Sequence, residues 1–387
     1  MYEFDRLLAR KGTHCSKWDA LEQVYGNPDL VPLWVADMDF PVLPELEKAL
    51  AARSVNSTFG YTFAGEGYYK SVTDWHLKRN GLSLTKEDIL DVPGVVCGLS
   101  FVIAALTGPE DKVLINTPVY PPFFSVPKSQ GRPLLLSPLR RGKERYEIDF
   151  DDFEAKLREG AKAFIFCSPH NPVGRVWEKE ELENIVKLCA RYGTLIVSDE
   201  IHSDLIFSGH KHIPILNVSP EARDISLIVS APSKTFNVAG LKASMLLVKN
   251  PDLRKRIRTL LDQFHVGVGL FGYKAAEVVY REGEKWLEEL LVYLEDNAKF
   301  VVSFLESRLP RVGAYLPEST YLMWLDFSAY GLTQEALMGK MRKEARVALN
   351  DGVTFGKEGK GHVRLNIGTT RALIQEGLEK IEAAFGK

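Results

Sequence analysis

The sequence is poor in cysteine, has almost no net charge and contains no long hydrophobic run. Its 49 Lys and Arg residues nearly balance 51 Asp and Glu residues, and a formal charge of −2 argues against a nucleic-acid-binding protein. The longest apolar stretch, about residues 95–106, is too short to cross a bilayer, and no signal-peptide core follows Met1. The four cysteines lack the spacing of metal ligands and imply no disulfide framework: Cys15, Cys97, Cys167 and Cys189. We therefore expect a cytoplasmic protein without nucleic-acid, membrane or metal partners.

Short apolar runs alternate with amphipathic stretches between residues 45 and 283. Continuously apolar runs fit parallel strands that are covered on both faces, and the chain has them at 112–116, 133–136, 163–167, 194–198 and 225–229. The apolar residues of 178–191 have helical spacing. The pattern predicts a large α/β domain over 45–283, with a mostly parallel central sheet covered by helices.

The last hundred residues have a different pattern, which predicts a second, smaller α+β domain over 284–387. A long helical pattern covers 284–309, and a final helix begins at residue 370. Between these two we expect a half-buried strand at 321–326, a helix near 334–346 and a strand at 362–367. Residues 1–44 have little periodicity, so we expect this N-terminal segment to pack against the smaller domain and a dimer interface.

Three predicted strands are each followed by a polar side chain of a different chemical type. The runs that end at residues 167, 198 and 229 are followed by Asn171, Asp199 and Lys234. Taken singly, these are ordinary turn, helix-capping and surface residues. Ligands of open α/β sheets bind at the carboxyl ends of strands, so we expect the amide, the carboxylate and the amine to meet there. Pyridoxal phosphate needs such a set: a lysine for the Schiff base, an acid for the pyridinium nitrogen and a donor for the ring oxygen.

Seven short motifs, in order along nearly the whole chain, carry a family resemblance. They are VADMDFP at 35–41, FGYT at 59–62, TPVYPPF at 117–123, HNPVGR at 170–175, SDEIHSD at 198–204, SKTFN at 233–237 and RLNIG at 364–368. With them, the chain resembles the fold-type I pyridoxal-phosphate enzymes of the aminotransferase superfamily. It is similar in particular to the cystathionine β-lyase-like branch of carbon–sulfur lyases (the MalY/PatB group).

The resemblance implies roles for residues around the cofactor ring. Lys234 is expected to form the Schiff base and then to move the Cα proton as general base. Asp199 pairs with the pyridine nitrogen, Asn171 donates to the ring oxygen and Tyr120 stacks on the ring. His202 stands where many aminotransferases have a tyrosine bonded to the ring oxygen, and we include it among the cofactor-binding residues.

The resemblance also implies a phosphate site at the start of a helix. Backbone N–H groups around Val96 and Cys97 are expected to supply part of the donor set. The residue three before the lysine, often a phosphate-binding serine in the superfamily, is Ala231 here. The phosphate contacts are therefore expected to shift to Ser233, Lys242 or Ser230.

The substrate is expected to be an amino acid whose carboxylate is held by Arg364. An arginine can bind a carboxylate through two hydrogen bonds, and lysine does not reproduce that geometry. The alternation of 363–367 places Arg364 on the face opposite its apolar neighbours. Asn171, Trp34 and the backbone at Ala36 are expected to line the same pocket. Tyr61 completes the expected catalytic set from the neighbouring subunit, which implies a homodimer with shared active sites.

The resemblance implies a β-lyase that removes a thiol from an L-cysteine-derived amino acid and leaves pyruvate and ammonia. An aminotransferase is the alternative, because both reactions need the same early steps; the motifs at 36–40 and 199–202 favour the lyase. A third possibility is a regulatory or ligand-sensing protein of the same fold. Such regulators usually carry an extra DNA-binding domain, for which the sequence before residue 45 leaves no room. Of the other histidines, His210 and His212 are expected to lie at the surface of a loop.

Overall fold

The computed structural model describes residues 2–386, and its helices follow the amphipathic stretches of the sequence. The helices are α1 Ser16–Asp19, α2 Leu21–Tyr25, α3 Pro44–Val55, α4 Glu66–Asn80, α5 Val95–Leu106, α6 Pro122–Ser129, α7 Phe150–Arg158, α8 Lys179–Tyr192, α9 Pro220–Ile225, α10 Pro251–Gln263, α11 Leu270–Glu282, α12 Glu284–Arg308, α13 Gln334–Lys340 and α14 Arg371–Phe385. Within the part of the chain that the structure describes, none of these helices is long and apolar enough to cross a membrane.

The strands form one large sheet, one smaller sheet and two short pairings. They are β1 Val31–Pro32, β2 Ile89–Val92, β3 Lys112–Thr117, β4 Leu134–Pro138, β5 Arg140–Arg141, β6 Tyr146–Glu147, β7 Ala161–Cys167, β8 Leu195–Asp199, β9 Ser226–Ser230, β10 Ser244–Leu247, β11 Gly313–Ala314, β12 Leu322–Asp326, β13 Val347–Ala348, β14 Asn350–Asp351 and β15 His362–Asn366.

The large sheet has the order β2-β10-β9-β8-β7-β3-β4. Its strands β9, β8, β7, β3 and β4 run parallel, and β10 is antiparallel to both of its neighbours. The apolar runs of the sequence are buried on both faces, as in Ala163–Cys167, because helices cover the sheet on both sides. The predicted α/β architecture with a mostly parallel central sheet is confirmed.

The smaller sheet has the order β11-β12-β15-β14 and lies among the last helices. The prediction that β12 is half-buried was wrong, since all five of its residues are buried. Aromatic rings cover one face of this sheet. The Trp324 ring stacks on His362 with ring centres 5.2 Å apart and meets Phe355 edge-on with ring centres 5.4 Å apart. The helix predicted near 334–346 is α13, followed by one π-helical stretch at Met341–Ala345.

The N-terminal segment is tied to the rest of the chain by short pairings and buried charges. Strand β1 pairs in parallel with β13. The Lys17 amine and the Asp39 carboxylate, both fully buried, form an ion pair at 2.6 Å. Asp39 also pairs with Arg10 at 2.8 Å, so it is removal of Asp39 that would leave the Lys17 amine as an isolated buried charge, which costs several kcal/mol. These contacts fix residues 34–39 as part of the wall of a central cleft.

Helix α5 lies against the large sheet at a close approach that a glycine makes possible. A Cβ at Gly98 would meet side-chain atoms of Leu246 at 3.0 Å and Val92 at 3.1 Å. The apolar residues of α5 are buried on that side. The close packing places the first turn of α5 beside the strand ends, where the polar side chains of the large sheet emerge.

Candidate active site

A cleft of about 310 Å³ lies at the carboxyl ends of β7, β8 and β9. Most of the side chains singled out in the sequence line it together: Ala36, Val96, Cys97, Tyr120, Asn171, Asp199, His202, Ser233, Lys234 and Lys242. The topology explains the convergence, because parallel neighbouring strands end at the same edge of a sheet. Ile201 also lines the cleft and belongs to the motif at 198–204, and Gly94 and Val95 belong to the predicted phosphate-binding helix start. The remaining lining residues carry no motif that could have identified them, namely Pro93, Cys167, Ala239, Ala243 and Ser244.

Lys234 projects its amine into this cleft. Its Nζ donates a hydrogen bond to the backbone carbonyl oxygen of Ala36 at 2.5 Å. Burial of the amine, assisted by the positive charge of Arg364, lowers the pKa of Lys234 to about 8. An amine with this pKa is partly neutral near physiological pH, and the neutral form is the nucleophile and the base.

Asp199 is the last residue of β8 and is only 4% exposed. One carboxylate oxygen accepts a hydrogen bond from the backbone N–H of Ile201 at 3.2 Å. Burial raises the pKa of Asp199 to about 7, because desolvation disfavours the charged form. Among residues 2–386 it forms no salt bridge, so a cation brought into the cleft would find this carboxylate free to receive it.

Asn171, which lines the cleft, contacts Arg364, although 193 positions separate them. Arg364 Nη1 donates to Asn171 Oδ1 at 3.1 Å. A guanidinium has only donors, so it fixes the oxygen of the Asn171 amide on its own side. The Nδ2 group of Asn171 is thereby left to donate into the cleft.

Arg364 lies on β15, is 4% exposed and donates hydrogen bonds only to neutral groups. Its Nη2 donates to the Trp34 carbonyl oxygen at 3.2 Å and to Asn350 Oδ1 at 2.7 Å, while Nε is buried without a partner. Its guanidinium carbon lies 4.9 Å from the centre of the Phe355 ring. Burial lowers the pKa of Arg364 to about 10. Sequence reasoning missed Asn350 and Phe355, which stand in no recognised motif.

The end of the cleft near α5 has several donors that could hold a phosphate. The N-cap of α5 is Gly94, and no side chain caps the first N–H groups of this helix. Lys242 lines the cleft with a left-handed backbone at φ 54°, a conformation that costs a non-glycine residue free energy. Ser233 also lines the cleft, whereas the alternative Ser230 is buried in β9 and is not one of the lining residues.

His202 is buried at 3% exposure and lines the cleft. Burial, with the nearby charges of Lys234 and Arg364, lowers its pKa to about 3, so the ring is neutral at physiological pH. Its Nδ1 is buried without a hydrogen-bond partner, and its ring lies 6.2 Å from that of Tyr321. A neutral imidazole can donate from one nitrogen and accept at the other.

Three predicted site residues are not among those that line the cleft. Arg364 lies behind Asn171 and reaches the cleft only through that contact. Tyr61 is fully exposed on the loop between α3 and α4. The backbone of Trp34 contacts Arg364, but its indole nitrogen donates to the Lys17 carbonyl oxygen and its ring packs edge-on against Tyr25.

The prediction that His212 lies at the surface was wrong, while His210 is exposed. The ring of His212 is buried and donates through Nε2 to Glu200 at 2.8 Å. Glu200 also accepts from Ser198 Oγ and from the Ile215 backbone N–H, each at 2.9 Å. This buried carboxylate follows Asp199 directly, and its partners hold the loop after β8.

Comparison with known proteins assigns this chain to a family. The family model for class I and II aminotransferases matches residues 28–381. Cystathionine β-lyase PatB of Bacillus subtilis (strain 168) is 42% identical over 386 residues, which cover 99% of each protein.

Two solved structures have the same fold over essentially the whole chain. The pyridoxal-phosphate-bound aminotransferase-like protein from Clostridium difficile 630 superposes with a TM-score of 0.98 and 38% identity, covering 100% of both chains. The pyridoxal-phosphate-bound C–S lyase from Staphylococcus hominis has a TM-score of 0.94 and 33% identity, covering 100% of this chain and 99% of that chain.

Proposed function

Because this chain belongs to the class I and II aminotransferase family, we propose that it is a pyridoxal-phosphate-dependent carbon–sulfur β-lyase. The substrate is an amino acid with a sulfur substituent on Cβ, such as cystathionine or another cysteine S-conjugate. The products are a thiol, pyruvate and ammonia. The names of the relative from Bacillus subtilis and of the structure from Staphylococcus hominis support the lyase over other reactions of the family.

One observation carries the proposal: an amine, a carboxylate without a salt bridge and an amide line one cleft, and a guanidinium without a salt bridge donates to that amide. The residues present fit pyridoxal phosphate. Lys234 would hold it covalently, Asp199 would receive its pyridinium nitrogen, and Asn171 Nδ2 would donate to its ring oxygen. The first turn of α5, with Ser233 and Lys242, would hold the phosphate. When bound, the cofactor supplies an aldehyde for amines and a ring that withdraws electrons from the substrate Cα.

The side chains of this protein then have separate tasks. Arg364 binds the substrate carboxylate, and the Phe355 ring beneath it keeps the guanidinium in place. Once the substrate amine has displaced it, Lys234 would remove the proton from Cα as general base, and its lowered pKa favours the neutral amine. The bond that breaks next is Cβ–S, and the sulfur leaves as a thiolate. Water releases the remaining three carbons as pyruvate and the nitrogen as ammonia.

The aminotransferase is the second candidate, because the solved structure from Clostridium difficile carries that name. The purified holoprotein should therefore be incubated with L-cystathionine, with and without an added keto acid. Thiol and pyruvate formed without keto acid indicate a lyase, and strict dependence on the keto acid would overturn the proposal in favour of the aminotransferase. A Lys234→Ala variant is the negative control for both assays.

We also propose that the protein is a homodimer with shared active sites. The loop between α3 and α4 exposes aromatic side chains, with Phe59 at 62%, Tyr61 at 112% and Phe63 at 85% exposure. Large apolar side chains grouped at the surface are typical of protein interfaces. In a dimer, Tyr61 would reach the phosphate or the substrate in the partner's cleft.

The division into an N-terminal segment (1–44), a large domain (45–283) and a small domain (284–387) also stays a proposal. It is supported by the two sheets, since the large sheet uses strands from 89–247 and the smaller one strands from 313–366. The pairing of β1 with β13 supports the packing of the N-terminal segment against the small domain. The cytoplasmic location expected from the sequence stays a prediction.

A further inference from the structure

Two buried arginines of this protein have opposite electrostatic surroundings. Arg175, 1% exposed, forms salt bridges with Glu181 at 2.6 Å and with Glu318 at 2.8 Å. Arg364, 4% exposed, has no salt bridge to any of the residues 2–386. Its hydrogen-bond acceptors are two amide side chains and one backbone carbonyl group. One buried guanidinium is therefore neutralised by the protein, and the other is held without being neutralised.

Asn350 makes the shortest of the contacts with Arg364. Strands β14 and β15 pair in antiparallel register with Asn350 directly opposite Arg364, so both side chains lie on the same face of the sheet. The distance from Nη2 to the Asn350 Oδ1 is 2.7 Å. The next residue is an acid, but the Asp351 carboxylate accepts from Gln334 Nε2 at 2.7 Å and from the Val353 N–H at 3.2 Å. Successive side chains of a strand point to opposite faces of the sheet, so the Asp351 carboxylate lies on the face away from Arg364.

We propose that Asn350 is a positioning residue that keeps the positive charge of Arg364 available to the substrate carboxylate. This inference rests on the proposed function. Its amide oxygen orients the guanidinium of Arg364, as a carboxylate would, but leaves the positive charge uncompensated. A buried cation without a counter-ion costs the folded protein free energy. The α-carboxylate of the substrate supplies the missing charge when it binds. Asn350 thus makes the cleft selective for anionic over neutral ligands.

The test is the Asn350→Asp variant, which keeps the shape and the acceptor and adds one negative charge. The probe is 3-(methylthio)propionate, which has a carboxylate and a thioether but no amine and so does not react with the cofactor. Calorimetry on the pyridoxal-phosphate-loaded protein should show binding weakened about 30-fold or more, as expected for loss of a buried charge interaction. The KM of an amino-acid substrate should rise in parallel with little change in kcat, because the carboxylate is bound equally before and during the reaction.

Asn350→Ala is the matched control, because it removes the acceptor without adding charge. It should weaken probe binding only a few-fold. Asn350→Asp should also raise the melting temperature of the cofactor-free protein, by about 1–3 °C, since it compensates a buried charge. In an Arg364→Met background, Asn350→Asp should no longer raise that temperature.

Unchanged probe binding by Asn350→Asp would overturn the inference, as would an equal loss with Asn350→Ala. A gain in melting temperature that persists in the Arg364→Met background would also overturn it. Probe binding does not require turnover. If the wild-type protein binds the probe and Asn350→Asp does not, the inference stands even where cystathionine is not cleaved, so the two proposals fail separately.

Discussion

The amine of Lys234 and the backbone carbonyl oxygen of Ala36 form a 2.5 Å hydrogen bond between residues 198 positions apart. The same carbonyl oxygen accepts from the hydroxyl group of Tyr321 at 3.1 Å. The N-terminal segment is therefore part of the wall that holds the amine. A covalently attached cofactor would take Nζ from this carbonyl, and Tyr321 would remain as its donor.

The lowered pKa of Lys234 predicts how cofactor loading depends on pH. Only the neutral amine attacks an aldehyde, and its fraction rises as the pH passes through about 8. The rate at which the cofactor-free protein takes up pyridoxal phosphate should therefore increase from pH 7 to pH 9 and then level off. Stopped-flow absorbance gives this rate. An increase that continues to the pH range of an ordinary lysine would contradict the prediction.

The raised pKa of Asp199 predicts a gain in stability when the carboxyl group is removed. Above its ordinary value of 3.8 the unfolded chain loses this proton, whereas the folded protein keeps it up to about pH 7. Stability is thus lost as pH rises through this window. Asp199→Asn should raise the free energy of unfolding of the cofactor-free protein by up to about 3 kcal/mol at pH 8. The gain should vanish below pH 4, which denaturant titrations at both pH values can check.

The His212–Glu200 contact predicts a difference between two histidines that are two positions apart. His212→Ala leaves a buried carboxylate oxygen without its donor and should cost about 1–3 kcal/mol of folding free energy. The matched control is His210→Ala, at an exposed position, which should change stability by less than about 0.5 kcal/mol. Equal losses in urea titrations of the two variants would refute the structural role of His212.

Sharing of active sites predicts complementation between two inactive variants. A hybrid dimer of Lys234→Ala and Tyr61→Ala subunits has one cleft with both residues intact only if Tyr61 serves the partner's cleft. Random mixing makes about half of the dimers hybrid, and each hybrid has one intact cleft out of two. The mixture should therefore recover about a quarter of the activity of the same amount of wild-type protein. If Tyr61 served its own subunit, the mixture would stay inactive. Each variant alone, denatured and refolded in the same way, is the control.

Much of the site could be predicted because its residues follow strands. Asn171, Asp199 and Lys234 come after apolar runs, and parallel strands bring their carboxyl ends to one edge of the sheet. Arg364 could be predicted from its place opposite the apolar face of a strand and from the family motif.

The residues that sequence reasoning missed depend on contacts that no local pattern encodes. Asn350 lies on a strand of two residues, and its importance comes only from the register with β15. His212 looked like a surface residue because it lies in a polar loop, but the buried carboxylate of Glu200 draws that loop inward. Strand β12 is buried on both faces because Phe355 and His362 cover Trp324.

The contact between Arg364 and the Trp34 carbonyl oxygen joins residues 330 positions apart, which has a consequence for biosynthesis. A ribosome adds about 5–20 residues per second, so it completes residues 34–39, which form part of the cleft wall, well before it makes β15. A nascent chain that has completed the strands of the large sheet still lacks the Arg364 guanidinium that would bind a substrate carboxylate. The capacity to bind an amino acid would thus arise only when synthesis is nearly complete.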